Sequence, residues 1–212
     1  MIKRILFDLD NTLIPWDGSQ VDALLKTFEE CGISFKREDK DLYFNAMHDY
    51  ESKNKRFDKV DLTRWVAKQL NLDLPDDFVK RWTDKLCYCV PEKDSKLIDL
   101  LEYLSSKYSL CVVSNWFYNQ QKARLKNYGI LKYFDYIYTC DKYDKKPCRE
   151  MYEVACSDYE KCEVVMVGDD FKIDIKSAND FGLYAYYLNK TTRYCNKKTK
   201  IIRTIYDLEK YL

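Results

Sequence analysis

From Pro91 onward the chain alternates short apolar runs with helix-patterned blocks, and this limits the fold more than any other feature. Leu97, Leu100, Leu101 and Leu104 stand at helical spacing, followed by the apolar run Leu110–Val113. A helical block from Asn119 to Tyr128 is closed by Gly129, and an apolar run covers Tyr136–Thr139. A third cycle has a helix over Arg149–Cys156 and a run over Val164–Val167. A fourth has a helix over Asp174–Phe181, closed by Gly182, and a run over Tyr184–Leu188. Ile201-Ile202 reads as a last strand and Tyr206–Leu212 as a final helix. Short runs between turn signals read as strands buried on both faces. Strands that alternate with helices build a mostly parallel sheet with helices on both sides.

Ile2–Phe7 is a further strand, but no helix–strand cycle follows it directly. Val21, Leu24, Leu25 and Phe28 give a helix with Ser19 as its N-cap and Gly32 as its stop. Glu38–Asn54 is a polar helix carrying Leu42, Phe44, Met47 and Tyr50. Leu62, Trp65, Val66 and Leu70 make a third helix, and Phe78, Val79, Trp82 and Leu86 a fourth, introduced by Leu74-Pro75. Residues 15–91 therefore read as a helical block inserted into an α/β core made of 1–14 and 92–212. Trp65 and Trp82 lie on apolar stripes and belong to its core. Trp16 sits where the chain enters the block and is positioned to face a site.

With 36 Lys+Arg against 35 Asp+Glu, the net charge of +1 favours neither a nucleic acid polymer nor an anionic membrane as partner. No apolar run approaches the ~20 residues a membrane helix needs. The apolar stretch after Met1-Ile2-Lys3-Arg4 ends at Asp8, short of the ~7–15 residues of a signal-peptide core. A cytoplasmic protein is expected. Nine cysteines contain no C-x-x-C pair, and the single histidine, His48, reads as a surface residue. The cysteines are expected to be reduced, small, mostly buried side chains.

The informative residues stand at strand ends. Asp8, Asp10 and Thr12 follow the first strand, and Ser114 and Asn115 follow Val113. Lys145, Lys146 and Pro147 lie in the loop after Thr139. Gly168, Asp169 and Asp170 follow Val167, with Asp174 a helical turn further on. In an open α/β sheet, ligands bind beyond the carboxyl ends of the strands. Two carboxylates 4 Å apart repel by about 1 kcal/mol in water and about 4 kcal/mol at an effective dielectric near 20. A hard divalent ion relieves that repulsion, and an all-oxygen donor set suits Mg²⁺. Thr12, Ser114, Asn115 and Lys146 can then donate to phosphate oxygens. One acid of the first pair can attack phosphorus, and the other can protonate the leaving oxygen and later deprotonate water.

Taken in order, Asp8-Leu9-Asp10-Asn11-Thr12, Ser114-Asn115, Lys146-Pro147 and Gly168-Asp169-Asp170-Phe171-Lys172-Ile173-Asp174 resemble the four motifs of the haloacid dehalogenase-like (HAD) hydrolase superfamily. The resemblance covers nearly the whole chain. It implies a Rossmann-like three-layer parallel-sheet core with an inserted α-helical cap domain. It implies Asp8 as nucleophile, forming an aspartyl-phosphate, and as Mg²⁺ ligand. Asp10 would be the acid/base, with its backbone carbonyl on the metal, and Thr12 would orient the pair. Ser114 and Asn115 would bind phosphate, and Lys146 would steady the charge on nucleophile and phosphoryl group. Asp169 would be a direct metal ligand, and Asp174 would bind a metal-bound water or Lys146. Asp170 stands at a position that varies in the family, so its part is supporting.

Dehalogenase members lack an acid at the position of Asp10, because expelling a halide needs no proton donor. The reading is therefore a Mg²⁺-dependent phosphatase acting on a small phosphorylated metabolite. A phosphotransferase or mutase with the same site is an alternative, and a non-catalytic scaffold that binds through its cap is another. A phosphorylated receiver module also gathers acids, a hydroxyl and a lysine, but it would be shorter and would carry its acceptor acid mid-chain.

Overall fold

The computed structural model describes residues 1–193 and 196–212. Its strands are β1 (Arg4–Phe7), β2 (Ser109–Ser114), β3 (Tyr136–Thr139), β4 (Val164–Gly168), β5 (Tyr184–Leu188) and β6 (Thr199–Ile202). The helices are α1 (Ser19–Glu30), α2 (Lys40–Lys53), α3 (Lys59–Leu70), α4 (Phe78–Leu86), α5 (Ser95–Ser105), α6 (Tyr118–Tyr128), α7 (Glu150–Ala155) and α8 (Ser177–Phe181). The strands form one sheet in the order β3-β2-β1-β4-β5-β6, each neighbouring pair parallel. The first strand thus lies inside the sheet, between β2 and β4.

Side chains alternate across the sheet with the period of two that a pleated strand imposes. Ile5, Phe7, Val112, Val165 and Val167 join Leu97, Leu101 and Leu104 of α5 and Leu125 of α6 in one core. Leu6, Cys111, Val113, Val164 and Met166 join Met151 and Ala155 of α7 and Ala178 and Phe181 of α8 in the other. That second core continues into the inserted helices α1–α4, where Phe28, Tyr43, Phe78 and Trp82 are buried together. Trp116, just past β2, joins the two parts, with its ring 5.9 Å from that of Trp82.

Several boundaries differ from the sequence expectation. Gly18, not Ser19, caps α1, because the chain turns there with φ 99°, a left-handed value that glycine adopts without strain. A 3-10 turn over Arg37–Asp39 precedes α2. Asp58 caps α3 by accepting from the Val60 and Asp61 backbone N–H groups at 2.8 and 3.0 Å. The helix expected from Asp174 begins earlier, as a π-helical turn over Phe171–Lys176 that leads into α8. The final helix is a 3-10 helix over Ile205–Lys210, not an α-helix. Eight cysteines are free thiols, and Cys195 lies outside the described residues. No helix among the described residues is long and apolar enough to cross a membrane.

Candidate active site

Strand β1 is buried along its whole length and ends at Phe7, so the residues after it are held against a fixed edge. The Asp8 N–H continues the ladder, donating to the Val167 carbonyl at 2.9 Å. Asn11 then takes φ 63°, a left-handed conformation that asparagine tolerates better than most residues. The chain folds back, with Ile14 N–H donating to the Leu9 carbonyl at 3.0 Å. Leu9, Leu13 and Ile14 are buried beneath the turn. Asp8 and Asp10 therefore leave a clamped segment, but with different surroundings.

Lys146 Nζ, 1 % exposed, donates to Asp8 Oδ1 at 2.8 Å and to Asp174 Oδ1 at 2.6 Å. Burial opposes its charge, but Asp174 and then Asp8 outweigh that, so the ammonium is held protonated well above the ordinary lysine range. The Lys146 backbone is fixed as well. Its N–H donates to Asn115 Oδ1 at 2.8 Å, and its carbonyl accepts from Asn115 Nδ2 at 2.7 Å. The Asn115 side chain is thus spent on the lysine loop.

Carboxylate oxygens of Asp8, Asp169 and Asp174 lie within 4.8 Å of one another. Burial, and then the Asp8 charge, push the Asp169 carboxyl up to about 6. Burial pushes Asp174 up too, against the pull of Lys146. Acids brought together and desolvated in this way suit an oxygen-preferring divalent cation, and Mg²⁺ commonly takes one or two carboxylates while keeping several waters. Thr12 donates its hydroxyl proton to Asp169 Oδ1 at 2.9 Å, so in this arrangement that donor serves the acid and not a phosphate. Asp170 Oδ1 accepts from the Lys172 and Ile173 N–H groups at 2.7 Å each, capping the π-helical turn that carries Asp174. Gly168 is required by the same turn. A Cβ placed there would lie 2.5 Å from the Asp174 Cβ.

Asp10 has other partners. Its Oδ1 accepts from Arg124 Nη1, and its Oδ2 from Gln121 Nε2 at 2.6 Å. Burial raises the Asp10 carboxyl, Arg124 opposes the rise, and Asp8 adds to it. Gln121 Nε2 also reaches Ser114 Oγ at 2.7 Å. Sequence reasoning did not single out Gln121 or Arg124. The available signal was in α6, where Gln120, Gln121 and Arg124 share a buried face with Leu125 and Tyr128.

A cavity of about 380 Å³ gathers Asp8, Asp10, Ser114, Asn115, Lys146, Asp169, Asp170 and Asp174. Thr12, the remaining residue singled out from the sequence, reaches this group through Asp169. The opposite wall comes from the inserted helices and their connections: Trp16, Phe44, Met47, His48, Trp82 and Leu86. His48, read from sequence as a surface residue, is 64 % exposed but stands on this wall, 3.0 Å from Glu51.

The family model of haloacid dehalogenase-like hydrolases matches residues 2–182. A ribulose-1,5-bisphosphate 5-phosphatase from Halopiger xanaduensis is 26% identical over 202 residues, covering 86% of this chain and 83% of that protein. The pyrimidine 5'-nucleotidase PynA of Streptococcus pneumoniae is 25% identical over 198 residues, covering 88% of this chain and 84% of that protein. Among solved structures, the HAD-hydrolase YfnB of Bacillus subtilis, described as bound to magnesium and revealing interdomain movement, superposes with a TM-score of 0.82. It is 18% identical and covers 99% of this chain and 98% of that one. Motif order, sheet order and the matched span agree: this chain belongs to the haloacid dehalogenase-like hydrolases.

Proposed function

We propose that this hydrolase is a Mg²⁺-dependent phosphatase that cleaves a small phosphomonoester through an aspartyl-phosphate on Asp8. One observation carries the reading. Two carboxylates two residues apart are placed in different environments: Asp8 beside the Lys146 ammonium and the metal-suited acids, Asp10 on its own pair of donors, Arg124 and Gln121. Such a division separates a nucleophile from an acid/base.

Asp8 attacks phosphorus, forming an O–P bond as the bond to the leaving oxygen breaks. Asp10 gives its proton to that oxygen. Asp10 then takes a proton from water as the water oxygen bonds phosphorus and the Asp8 O–P bond breaks. Lys146 holds Asp8 in place and offsets the charge on the phosphoryl oxygens, while Ser114 and the Asn115 backbone donate to them. Asp8, the Asp10 carbonyl and Asp169 would hold Mg²⁺, with Asp174 supporting Lys146 from behind. Bound there, the ion supplies charge neutralisation at the phosphoryl oxygens.

Residues 15–91 act as a cap that closes the site and excludes water. Of the described residues lining the cavity, Lys146 is the only lysine or arginine, and the remote wall is largely aromatic and aliphatic. That wall suits a flat, uncharged leaving group, as in a nucleoside monophosphate, and offers little to a second phosphate.

The test is phosphate release from a panel of nucleoside monophosphates, sugar monophosphates and bisphosphates, with Mg²⁺ and again with chelator. Release from monophosphates that stops on chelation supports the reading. A folded protein that binds Mg²⁺ and releases phosphate from no member would sink it, leaving transfer to an acceptor or a scaffold role.

A further inference from the structure

Asp10 is held from a side that none of the four sequence motifs describes. Arg124, on α6, is 0 % exposed. Its Nη1 donates to Asp10 Oδ1, and its Nε donates to the Cys89 carbonyl at 3.2 Å. The Trp16 ring lies over the guanidinium, 3.6 Å from ring centroid to Cζ. Trp16 belongs to the connection from β1 into α1, and Cys89 to the connection from α4 out to α5. One guanidinium therefore touches both chain crossings between the sheet and the inserted helices, and it touches the acid as well.

Burying an arginine is costly unless its charge is matched, and loss of one partner of such a pair leaves the other charge buried and uncompensated. Asp10 is the carboxylate that matches Arg124 here. The arrangement is directional: Arg124 fixes one carboxylate oxygen and Gln121, three residues earlier on the same helix, fixes the other at 2.6 Å. Two donors from one helix define the plane of the carboxyl group. The stacking of Trp16 and the hydrogen bond to Cys89 define where the guanidinium itself sits.

We propose that Arg124 is the positioning residue for Asp10, and that it makes the placement of this acid depend on both chain crossings being seated. The inference rests on reading Asp10 as the acid/base. It assigns Arg124 no contact with substrate. When the inserted helices move, Trp16 and Cys89 move with the crossings, Arg124 loses two of its three restraints, and Asp10 loses its fixed orientation toward the leaving oxygen.

The experiment compares two aryl phosphates with Mg²⁺ present. p-Nitrophenolate leaves without needing a proton, whereas phenolate from phenyl phosphate leaves far better with one. Arg124→Met should lower kcat/KM, which reports the step that expels the leaving group, on phenyl phosphate by at least about tenfold more than on p-nitrophenyl phosphate, within the range of general-acid contributions. Asp10→Asn should show the same leaving-group bias, and the double variant should lose little beyond Asp10→Asn alone. Arg124→Lys should recover part of the phenyl phosphate rate. Trp16→Leu, which leaves the charge pair intact, should show the same bias more weakly and serves if Arg124→Met does not fold.

Equal losses in kcat/KM on both substrates, or losses that multiply in the double variant, would overturn the proposal and leave Arg124 a structural residue. If the wild-type protein hydrolyses neither aryl phosphate, the phosphatase reading still stands or falls on the panel of natural monophosphates. Crystal structures of the wild type and Arg124→Met then decide the positioning claim. An Asp10 carboxyl that stays in place on Gln121 overturns it, and one that turns away supports it.

Discussion

The carboxyl edge of the sheet and the wall of inserted helices face each other across one cavity, and they are built in contrasting ways. The edge is polar and linked by ion pairs and hydrogen bonds. Asp8 meets Lys146, Lys146 meets Asp174 and Asn115, and Thr12 meets Asp169. The strands beneath are packed with short aliphatic side chains such as Val165, Val167 and Val112. The opposite wall rests on large rings, with Phe28 stacked on Phe35 at 4.1 Å and Tyr43 edge-on to Trp82 at 5.2 Å. Polar atoms buried without a hydrogen-bond partner occur on both sides, Tyr43 Oη and Trp65 Nε1 among the rings and Gln121 Oε1 and Arg124 Nη2 beside Asp10. A dense polar lattice holds reacting groups in fixed places, while an aromatic wall presents area and shape. Under the proposed function, chemistry would belong to the edge and choice of substrate to the wall.

The sharpest way to break this division is Asp8→Asn. It should lower phosphate release by about 10⁴-fold or more on every substrate, as loss of a nucleophile does elsewhere, with the protein still folded. A residue rate that varied from substrate to substrate would mean the wall takes part in the chemistry. Trp82→Ala comes next, at about 3–5 kcal/mol of stability in denaturant unfolding. Its ring belongs to the core that runs from the helices into the sheet face, so unfolding should remain a single transition. Two separated transitions would show that the regions are energetically independent.

Gly168→Ala tests the edge without touching a charge. The added Cβ must displace Asp174. A misplacement of about 1 Å near reacting groups can cost about 100-fold in rate. Turnover should fall by that order while the substrate preference stays as it was. The metal prediction follows from Asp169. In the metal-free protein its carboxyl is pushed up to about 6 from an ordinary 3.8, so the folded state disfavours the charged form. Its contribution to stability is therefore lost as pH rises from about 4 to 6 and is then constant. A bound cation removes that penalty, so Mg²⁺ should raise Tm at pH 7 and do little near pH 4. Its affinity should fall up to about tenfold per pH unit below 6 for each proton it displaces. Calorimetric titration across that range checks the slope, and a flat profile would remove Asp169 from the ligand set. The smallest effect belongs to Glu51→Gln, which leaves the edge untouched. It should change stability by no more than about 0.5 kcal/mol and alter KM between substrates, with kcat on p-nitrophenyl phosphate unchanged.

The edge was far more legible in the sequence than the wall. A strand buried on both faces is a short continuous apolar run, so its end is visible, and Asp8, Ser114 and Asp169 are found by looking there. The π-helical turn at Phe171 was not visible in the same way, because Asp170 caps it with the same Asx chemistry that starts an ordinary helix. Thr12 was expected to orient the first pair of acids, but its partner is 157 residues away, across the sheet edge. Gln121 and Arg124 were hidden for a related reason. A polar side chain on a helix is assigned to solvent by default, and only the tertiary structure shows that Arg124 lies over Trp16 and against Asp10. The sequence did hold a clue, since α6 carries too few apolar residues to cover its buried face.

The position of β1 inside the sheet also determines the order in which the molecule can assemble. Arg4 pairs with Ser109 on one side and Val164 on the other. During synthesis the strand that carries Asp8 must wait for more than a hundred further residues before its first neighbour exists, and longer for its second. Helices α1–α4 make mostly local contacts and can form sooner, since pairing distant strands is slow and local helical contacts are fast. The nascent chain therefore spends its early life with an exposed apolar strand and a largely formed helical block. The reactive edge, begun by a strand that precedes both its neighbours in the chain, is among the last parts of the protein to exist.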